Sequence, residues 1–483
     1  MPTKHIYAWV VVSLLGLAAL FGYGLGDAPS AVDPSAEPAQ VRDASSAQAP
    51  DAQAPEGTAE VPGSGEVAGG SGGPAAGQSP ADRTSADGVG PATGDETAQP
   101  SDDGAVRRRF ARPRAIRGLY VNAWAAGSGA RMTQLLDMAR RTEVNSLVID
   151  IKDASGYVSH RTEVALAHEI GATNEIRIRD LPGLLDRLEQ ERIYPIARIV
   201  IVRDPIVAEF RPELAVNDTA GGVWYDSKGL NWLNPHSQEV WEYHVDLARE
   251  VALMGFPEIQ FDYVRFPDAP QEDLARAVYH GASDRSKAAT IREFLAYARE
   301  GLADLDVRLT LDVFGVTTSA ARDVGIGQVW ESFIDAVDVA LPMVYPSHYW
   351  EGSYGFQVPN AHPYEIVRRA LNDALRRSAL VEGAGRTVPW LQDFSLGQPP
   401  YSAAEVRAQI QATYDVGIDE WILWNPGSRY TEAALEPTGG FEPEPLIRVA
   451  ERLVPVSERH AVLDSVSMAR ARAVAADTVD LQN

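Results

Sequence analysis

The chain has 483 residues, a formal net charge of −24 and an isoelectric point near 4.8. This acidity argues against nucleic acid as a partner, because phosphate binding requires a concentration of Lys and Arg. The absence of cysteine excludes disulfides, thiolate catalysis and cysteine metal sites.

An apolar run from Ile6 to Gly26 follows Lys4 near the start of the chain. About 20 apolar residues are enough to cross a bilayer as a helix, and the preceding Lys favours a cytoplasmic N-terminus. We interpret residues 1–26 as a membrane anchor that leaves the remainder outside the cytoplasm, in a periplasmic or extracellular position. A cleaved signal peptide, which would give a secreted protein, is the alternative.

Residues 27–112 are predicted to be a disordered linker. From Asp27 to Ala105 there is no Leu, Ile, Met, Phe, Trp or Tyr, so this stretch has nothing to offset the entropy of ordering. It holds fourteen acidic residues against Arg42 and Arg83, which is half of the net charge. Its expected role is a self-repelling tether.

A cluster of arginines closes the linker, and it consists of Arg107, Arg108, Arg109, Arg112, Arg114 and Arg117. A membrane-surface role is conceivable for such a cluster. The long tether separates it from the bilayer, so we expect these arginines to pair with acids of the folded domain.

From Ile116 onward, short apolar runs alternate with helical patterns, which is typical of βα units. The predicted strands are 118–124, 146–153, 194–202, 258–266, 308–315, 338–345, 387–393 and 420–424. The predicted helices are 131–141, 181–191, 237–254, 286–302, 363–377 and 403–416, the last opening on a capping box of Ser402 and Glu405. Eight such units predict an α/β fold, a (β/α)8 TIM barrel over residues 113–455, followed by a tail over 456–483. A doubly wound open sheet is the alternative, although no Gly-rich phosphate loop opens its first helix.

A long insertion between residues 209 and 235 interrupts this rhythm. It contains Trp224, Tyr225, Trp232 and Asn234, with several glycines. The glycines predict a loop, and the aromatic content predicts that it is ordered.

Catalytic groups of such barrels lie at the C-terminal ends of the strands. Most of the predicted strands end in an acid, an amide or an aromatic residue, while their centres are aliphatic. This pattern favours a carbohydrate site, because sugars offer ring faces for stacking and hydroxyls for polar groups. The residues that we expect to bind substrate are Tyr120, Asn122, Trp124, Asp150, Lys152, Tyr263, Arg265, Tyr345, Trp390, Asp393, Trp424 and Asn425.

Glycoside cleavage requires two carboxyls that flank the scissile bond. Asp262 and Asp312 end neighbouring predicted strands, and strands ~4.8 Å apart can bring carboxyls to the ~5–5.5 Å of a retaining pair. We assign Asp262 as nucleophile, kept ionised by Arg265, and Asp312 as acid/base. Asp150 and Asp393 compete as partners of Asp262, and the more distant Asp150 would imply inversion.

The residues predict neither a metal nor a cofactor. The nine histidines are scattered and form no His-Glu-x-x-His motif. A serine-hydrolase elbow, Gly-x-Ser-x-Gly, does not occur either.

Five motifs in a fixed order resemble a family of glycosyl-hydrolase-like barrels that is catalogued as a domain of unknown function. They are residues 117–121, 147–153, 261–267, 341–346 and 424–426, and the resemblance spans Ile116 to Ala450. It implies a TIM barrel with a nucleophile on the fourth strand, which is Asp262 here. It does not identify the second carboxyl.

These observations together predict a glycoside hydrolase, tethered to the membrane by its N-terminal helix and acting on a polysaccharide or envelope glycan. One alternative is a non-catalytic carbohydrate-binding barrel. Another is an envelope scaffold whose disordered arm contacts partners.

Overall fold

The computed structural model describes residues 110–440 except residue 283, and then 446–449, 452–455, 458–459, 461–466 and 468–469. The predicted anchor over 1–26 lies outside the described residues, as does the predicted linker up to residue 109. Within the described ranges, no helix has the length and apolarity to cross a bilayer.

Eight strands form the centre of the domain. They are β1 Arg117–Val121, β2 Ser146–Lys152, β3 Tyr194–Val200, β4 Glu258–Asp262, β5 Arg308–Phe314, β6 Val339–Met343, β7 Trp390–Gln392 and β8 Trp421–Trp424. Each pairs in parallel with the next in sequence, β8 pairs with β1, and Trp390 of β7 pairs with Met343 of β6. The sheet is therefore a closed, eight-stranded parallel barrel.

Seven helices connect the strands, as in a (β/α)8 barrel. They are α1 Gly129–Arg141, α2 Leu181–Gln190, α3 Gln238–Met254, α4 Lys287–Gly301, α5 Trp330–Phe333, α6 Pro363–Ser378 and α7 Ala403–Asp415. Serine or aspartate side chains cap five of them, and Ser402 with Glu405 forms the predicted capping box. The four-residue helix α5 has no counterpart in the sequence prediction.

Shorter elements decorate the loops. The short helices are Ala123–Gly127, Ala165–Glu169, Pro205–Phe210 and Gln271–Leu274. The 3-10 turns are Pro212–Leu214, Gly315–Thr318, Pro346–His348, Ser353–Gly355, Pro359–Ala361 and Glu432–Ala434. The minor strands are Asn217–Asp218, Ala277–Val278, Arg386–Thr387, Leu446–Val449 and Arg452–Pro455.

All eight strands are shorter than predicted, and for β4 and β7 the reason is local. β4 stops at Asp262 because Tyr263 has a φ of 53°, which is left-handed backbone and cannot continue a strand. The predicted seventh strand is divided between Arg386–Thr387 and β7, with Pro389 in the gap. Proline has no N–H to donate to the ladder.

The insertion over residues 209–235 is packed onto the barrel, as its aromatic content predicts. Trp224 and Trp232 are buried, and the indole N–H of Trp224 donates to the Asp273 carbonyl at 2.9 Å. The strand Asn217–Asp218 pairs antiparallel with Ala277–Val278. This insertion therefore forms part of the wall beside the C-terminal end of β4.

The arginine cluster pairs with acids of the barrel where it is described. Arg112 lies 2.8 Å from Glu420 and 3.7 Å from Glu258, and Arg117 lies 3.4 Å from Glu143. This confirms the prediction for these arginines, and Arg107 to Arg109 lie outside the described residues.

In the predicted tail, residues 461–466 are helical, with Val462 and Leu463 buried.

Candidate active site

The two predicted catalytic carboxyls are lateral neighbours at the C-terminal end of the barrel. Gln260 of β4 pairs with Thr310 of β5, so Asp262 and Asp312, two residues further along, project from the same face. Asp262 is 4% exposed and Asp312 is 1% exposed. Both carboxyls are therefore largely withdrawn from water.

Arg198 of β3 lies between the carboxyls. Its Nε donates to Asp262 Oδ2 at 3.1 Å and lies 3.8 Å from Asp312 Oδ2, while its Nη1 donates to Asp150 Oδ1 at 2.6 Å. The first two distances limit the Asp262–Asp312 oxygen separation to about 7 Å, a range that includes the ~5–5.5 Å of a retaining pair. Arg198 is itself 4% exposed.

One guanidinium thus lies close to three buried carboxyls, so there are more acidic groups than positive charges at this site. The pKa values of two of these carboxyls are raised. Burial, reinforced by the charge of Asp262, raises the pKa of Asp312 well above its ordinary value. Burial also raises the pKa of Asp150, to about 6, although Arg198 opposes the rise. The raised pKa of Asp312 favours its protonated form, which is the form that a general acid requires.

Two donors hold the Asp312 side chain in place. The indole N–H of Trp390 donates to Oδ1 at 2.7 Å, and the Gln260 amide lies 2.9 Å from both oxygens. Trp390 was predicted to stack on substrate, whereas here it is 1% exposed and orients a carboxyl. Gln260 was missed, although its position two residues before Asp262 on an alternating strand indicates the same face.

Asp262 is the last residue of β4, and a sharp turn follows it. Its Oδ1 accepts the Tyr263 backbone N–H at 2.6 Å, while Tyr263 has the left-handed φ of 53°. Non-glycine residues in this region of φ and ψ cost of order 1–3 kcal/mol and concentrate at functional sites. The turn fixes the direction of the Asp262 carboxylate, and Tyr263 remains half-buried at the rim.

Aromatic rings enclose the carboxyls on the β7–β8–β1 side. Tyr120 stacks on Trp424 with ring centroids 3.9 Å apart, and Trp390 meets Trp424 edge-on at 5.5 Å. The Tyr120 hydroxyl donates to Asp150. Trp424 is half-buried, whereas Tyr120 is buried. Tyr345, also buried, packs edge-on against His348 and Phe394.

Three predicted binding residues mainly organise the loops above β1 and β8. Asn122 caps the helix Ala123–Gly127 and donates to the Pro426 carbonyl at 2.8 Å. Asn425 donates to the Asp393 carbonyl at 2.6 Å, and Asp393 accepts from Thr431 at 2.7 and 2.8 Å. Burial raises the pKa of Asp393. Their contact with substrate stays a prediction.

Lys152 and Trp124 occupy opposite environments. Lys152 is fully buried, 2.8 Å from Asp204, and donates to the Val200 carbonyl at 2.9 Å, so it forms a structural ion pair. Trp124 is 60% exposed, and the Arg177 guanidinium lies 5.2 Å from its ring. Of the predicted aromatic residues, Trp124 is thus the most exposed.

The cation beside Asp262 is Arg198, and the expectation that Arg265 fills this place was wrong. Arg265 packs against rings instead, with its guanidinium 4.6 Å from Phe314 and 4.7 Å from Trp232. The signal for Arg198 was available, because a charged residue inside a fully buried strand requires a partner.

A cavity of about 380 Å³ lies apart from the carboxyls, between α1 and the loop after β8. Its lining includes Arg131, Arg141 and Arg429, and Arg141 pairs with Glu432 at 2.8 Å. The described residues contain no cluster of three or more metal-ligating side chains. The carboxyl cluster is therefore the stronger candidate for chemistry.

A closed parallel barrel with recessed carboxyls at its C-terminal strand ends is an arrangement that glycoside hydrolases use. The family described as "Putative glycosyl hydrolase domain" matches residues 118–430, and the chain belongs to that family. This confirms the resemblance seen in the five sequence motifs, and it assigns the general class of glycoside hydrolase.

Solved structures also resemble the chain. A hypothetical protein from Ruminiclostridium thermocellum is 38% identical over 40% of this chain and 97% of that chain, with a TM-score of 0.37. The glycoside hydrolase domain of PgaB (BpsB) from Bordetella bronchiseptica is 14% identical over 65% and 95%, with a TM-score of 0.46. The glycoside hydrolase domain of PelA from Pseudomonas aeruginosa is 12% identical over 66% and 97%, with a TM-score of 0.38. No curated protein matches the sequence.

Proposed function

We propose that the barrel hydrolyses a glycosidic bond of a polysaccharide or glycan with Asp262 and Asp312 as its two carboxyls. The observation that supports this most is the divided environment of the pair. Asp262 accepts charge-assisted hydrogen bonds from Arg198, whereas burial and the Asp262 charge raise the pKa of Asp312. Glycosidases need this division between an ionised and a protonated carboxyl.

In the proposed reaction, Asp312 gives its proton to the glycosidic oxygen as the bond to the anomeric carbon breaks. Asp262 attacks that carbon and forms a glycosyl ester. Asp312, now ionised, takes a proton from water as the water attacks the anomeric carbon and releases Asp262. The lateral adjacency of the two residues on β4 and β5 supports this retaining course over inversion.

A non-catalytic carbohydrate-binding barrel is the second candidate, and the burial of the carboxyls favours it. Both are more than nine-tenths buried, so a sugar reaches them only if the side chains above them move aside. Rim residues such as Trp124 would bind sugar without that movement. Binding of a glycan without release of product would support this candidate over hydrolysis.

The test is reducing-end release from a glycan panel by the full chain and by the D262N and D312N variants. Removing either carboxyl should lower turnover by at least about 10³-fold without unfolding the protein. D335N is the matched control, because Asp335 forms a solvent-accessible pair with Arg292. Retained turnover in D262N would refute the assignment. The anomer released first, read by NMR, tests retention.

We also propose that the domain is held outside the cytoplasmic membrane by residues 1–26. The apolar run from Ile6 to Gly26 motivates this placement. Fractionation of cells that express the full chain should recover it with membranes and accessible to external protease after removal of any outer barrier. Recovery in the cytoplasmic fraction would contradict it.

A further inference from the structure

The guanidinium of Arg265 is buried against three aromatic rings at the C-terminal end of β4. Its Cζ lies 4.7 Å from the ring centroid of Trp232, 4.8 Å from that of Tyr263 and 4.6 Å from that of Phe314. The residue is 4% exposed. Its only hydrogen bond in the described part of the chain runs from Nη1 to the Phe266 carbonyl at 3.3 Å.

Three other buried arginines in the described residues pair with carboxylates. Arg177 pairs with Asp153 and Glu175, Arg459 with Glu143 and Glu436, and Arg198 with its three aspartates. Arg265 makes no ion pair with any residue that the structure describes. Its Nε and Nη2 have no partner there, yet they are not among the polar atoms sealed from solvent. These two donors therefore keep a solvent-accessible edge.

An unpaired buried cation is unfavourable, and the rings compensate only part of the loss. Removing such a charge from water costs more free energy than a cation–π contact returns. A second guanidinium, that of Arg203, lies 5.5 Å from the ring of Trp232, which is one of the same three rings. Adjacent guanidinium donors match a carboxylate in a planar, bidentate geometry.

The position of Arg265 connects this edge to the reaction. Tyr263 donates its backbone N–H to Asp262 Oδ1, and its ring lies against the Arg265 guanidinium. Tyr263 therefore contacts both the Asp262 carboxylate and the Arg265 guanidinium, so an anion bound to Arg265 lies near the proposed nucleophile. Resting on the proposed function, we infer that Arg265 binds the carboxylate of a uronic acid residue in the substrate, so that the substrate is an acidic polysaccharide.

The experiment compares acidic polymers with their own neutral derivatives. Full-length protein is tested on polygalacturonate, alginate and hyaluronan, each beside its carboxyl-reduced form, by reducing-end release and by affinity electrophoresis. At least one parent polymer should be bound about tenfold more tightly than its reduced form, the expected effect of one charge-assisted pair. R265Q should abolish that difference, R265K should keep part of it, and R292Q, an exposed arginine on α4, should leave it unchanged.

The outcomes separate this inference from the proposed function. A preference for the acidic polymer in the binding assay supports the carboxylate site even if no product is released, which would count against hydrolysis alone. Hydrolysis of neutral and acidic forms at equal rates and affinities overturns the inference while hydrolysis stands. The inference is also overturned if none of the acidic polymers retards the protein in affinity electrophoresis, or if the preference for the acidic form persists in R265Q. The wild-type comparison needs no variant, so a misfolded R265Q does not remove the test.

Discussion

The hydrogen bond from Trp390 to Asp312 provides a test of the proposed proton donor. The indole N–H donates to Asp312 Oδ1 at 2.7 Å, and this contact stabilises the charged carboxylate, so it lowers the pKa that burial and Asp262 raise. The W390F variant removes the donor and keeps an aromatic ring in the core. Because a hydrogen bond to a charged group contributes about 1.5–3 kcal/mol, the pKa of Asp312 should rise by about 1–2 units.

The assay is the pH dependence of kcat/KM on any glycan that the protein hydrolyses. The protonated form of Asp312 is the active one, so the alkaline limb of the profile should move to higher pH by the same 1–2 units. W421F is the matched control: Trp421 is also fully buried, but its indole N–H donates to the Tyr414 hydroxyl at 3.0 Å. An alkaline limb that stays in place in W390F, or moves equally in W421F, would refute Asp312 as the acid.

Three further predictions concern the rest of the barrel. R198Q should lower the free energy of unfolding by about 3–5 kcal/mol and abolish turnover, because it leaves three buried carboxyls without their cation, whereas R292Q should cost under about 1 kcal/mol in the same denaturation assay. Burial raises the pKa of Glu258 from 4.5 to about 7, so the contribution of this group to stability should be fully present below pH 4.5 and fall by up to about 3 kcal/mol towards pH 7; the difference in unfolding free energy between wild type and E258Q, measured across this range, should follow that course. W124A should raise KM several-fold with kcat nearly unchanged and shift stability by under about 0.5 kcal/mol, and an unchanged KM would remove Trp124 from the binding surface.

The barrel was predictable because its signals are local and repeated. Each strand is a short apolar run and each long helix has apolar residues at helical spacing, so eight units could be counted without knowledge of any contact. The errors occurred where one residue changes the backbone. Tyr263 ends β4 through a left-handed φ that no sequence rule assigns to tyrosine. Pro389 divides the predicted seventh strand into Arg386–Thr387 and β7.

The site was predictable only to the level of strand order. Because β4 and β5 are neighbours, acids near their C-terminal ends had to be close together, and the pairing of Gln260 with Thr310 confirms that Asp262 and Asp312 are adjacent. The identity of the cation was not predictable in the same way. Arg265 is three residues from Asp262 in sequence, but the cation that pairs with Asp262 is Arg198, whose long side chain extends from the neighbouring strand β3. Contacts of flexible side chains depend on rotamers that strand order does not determine.

Elevated carboxyl pKa values occur at both ends of this barrel, so they do not by themselves locate the active site. Glu258 opens β4 at the N-terminal end and lies 3.7 Å from Arg112, whereas Asp150 and Asp312 lie at the C-terminal end beside Arg198. At the N-terminal end, Arg112 bridges Glu258 and Glu420 beneath the barrel and thereby anchors the segment that leads into β1. At the C-terminal end, the acids lie where the loops of all eight strands converge, which is where barrels of this kind carry their chemistry. E258Q should therefore change the pH dependence of stability and leave specific activity intact, whereas D262N should lose specific activity while the protein stays folded.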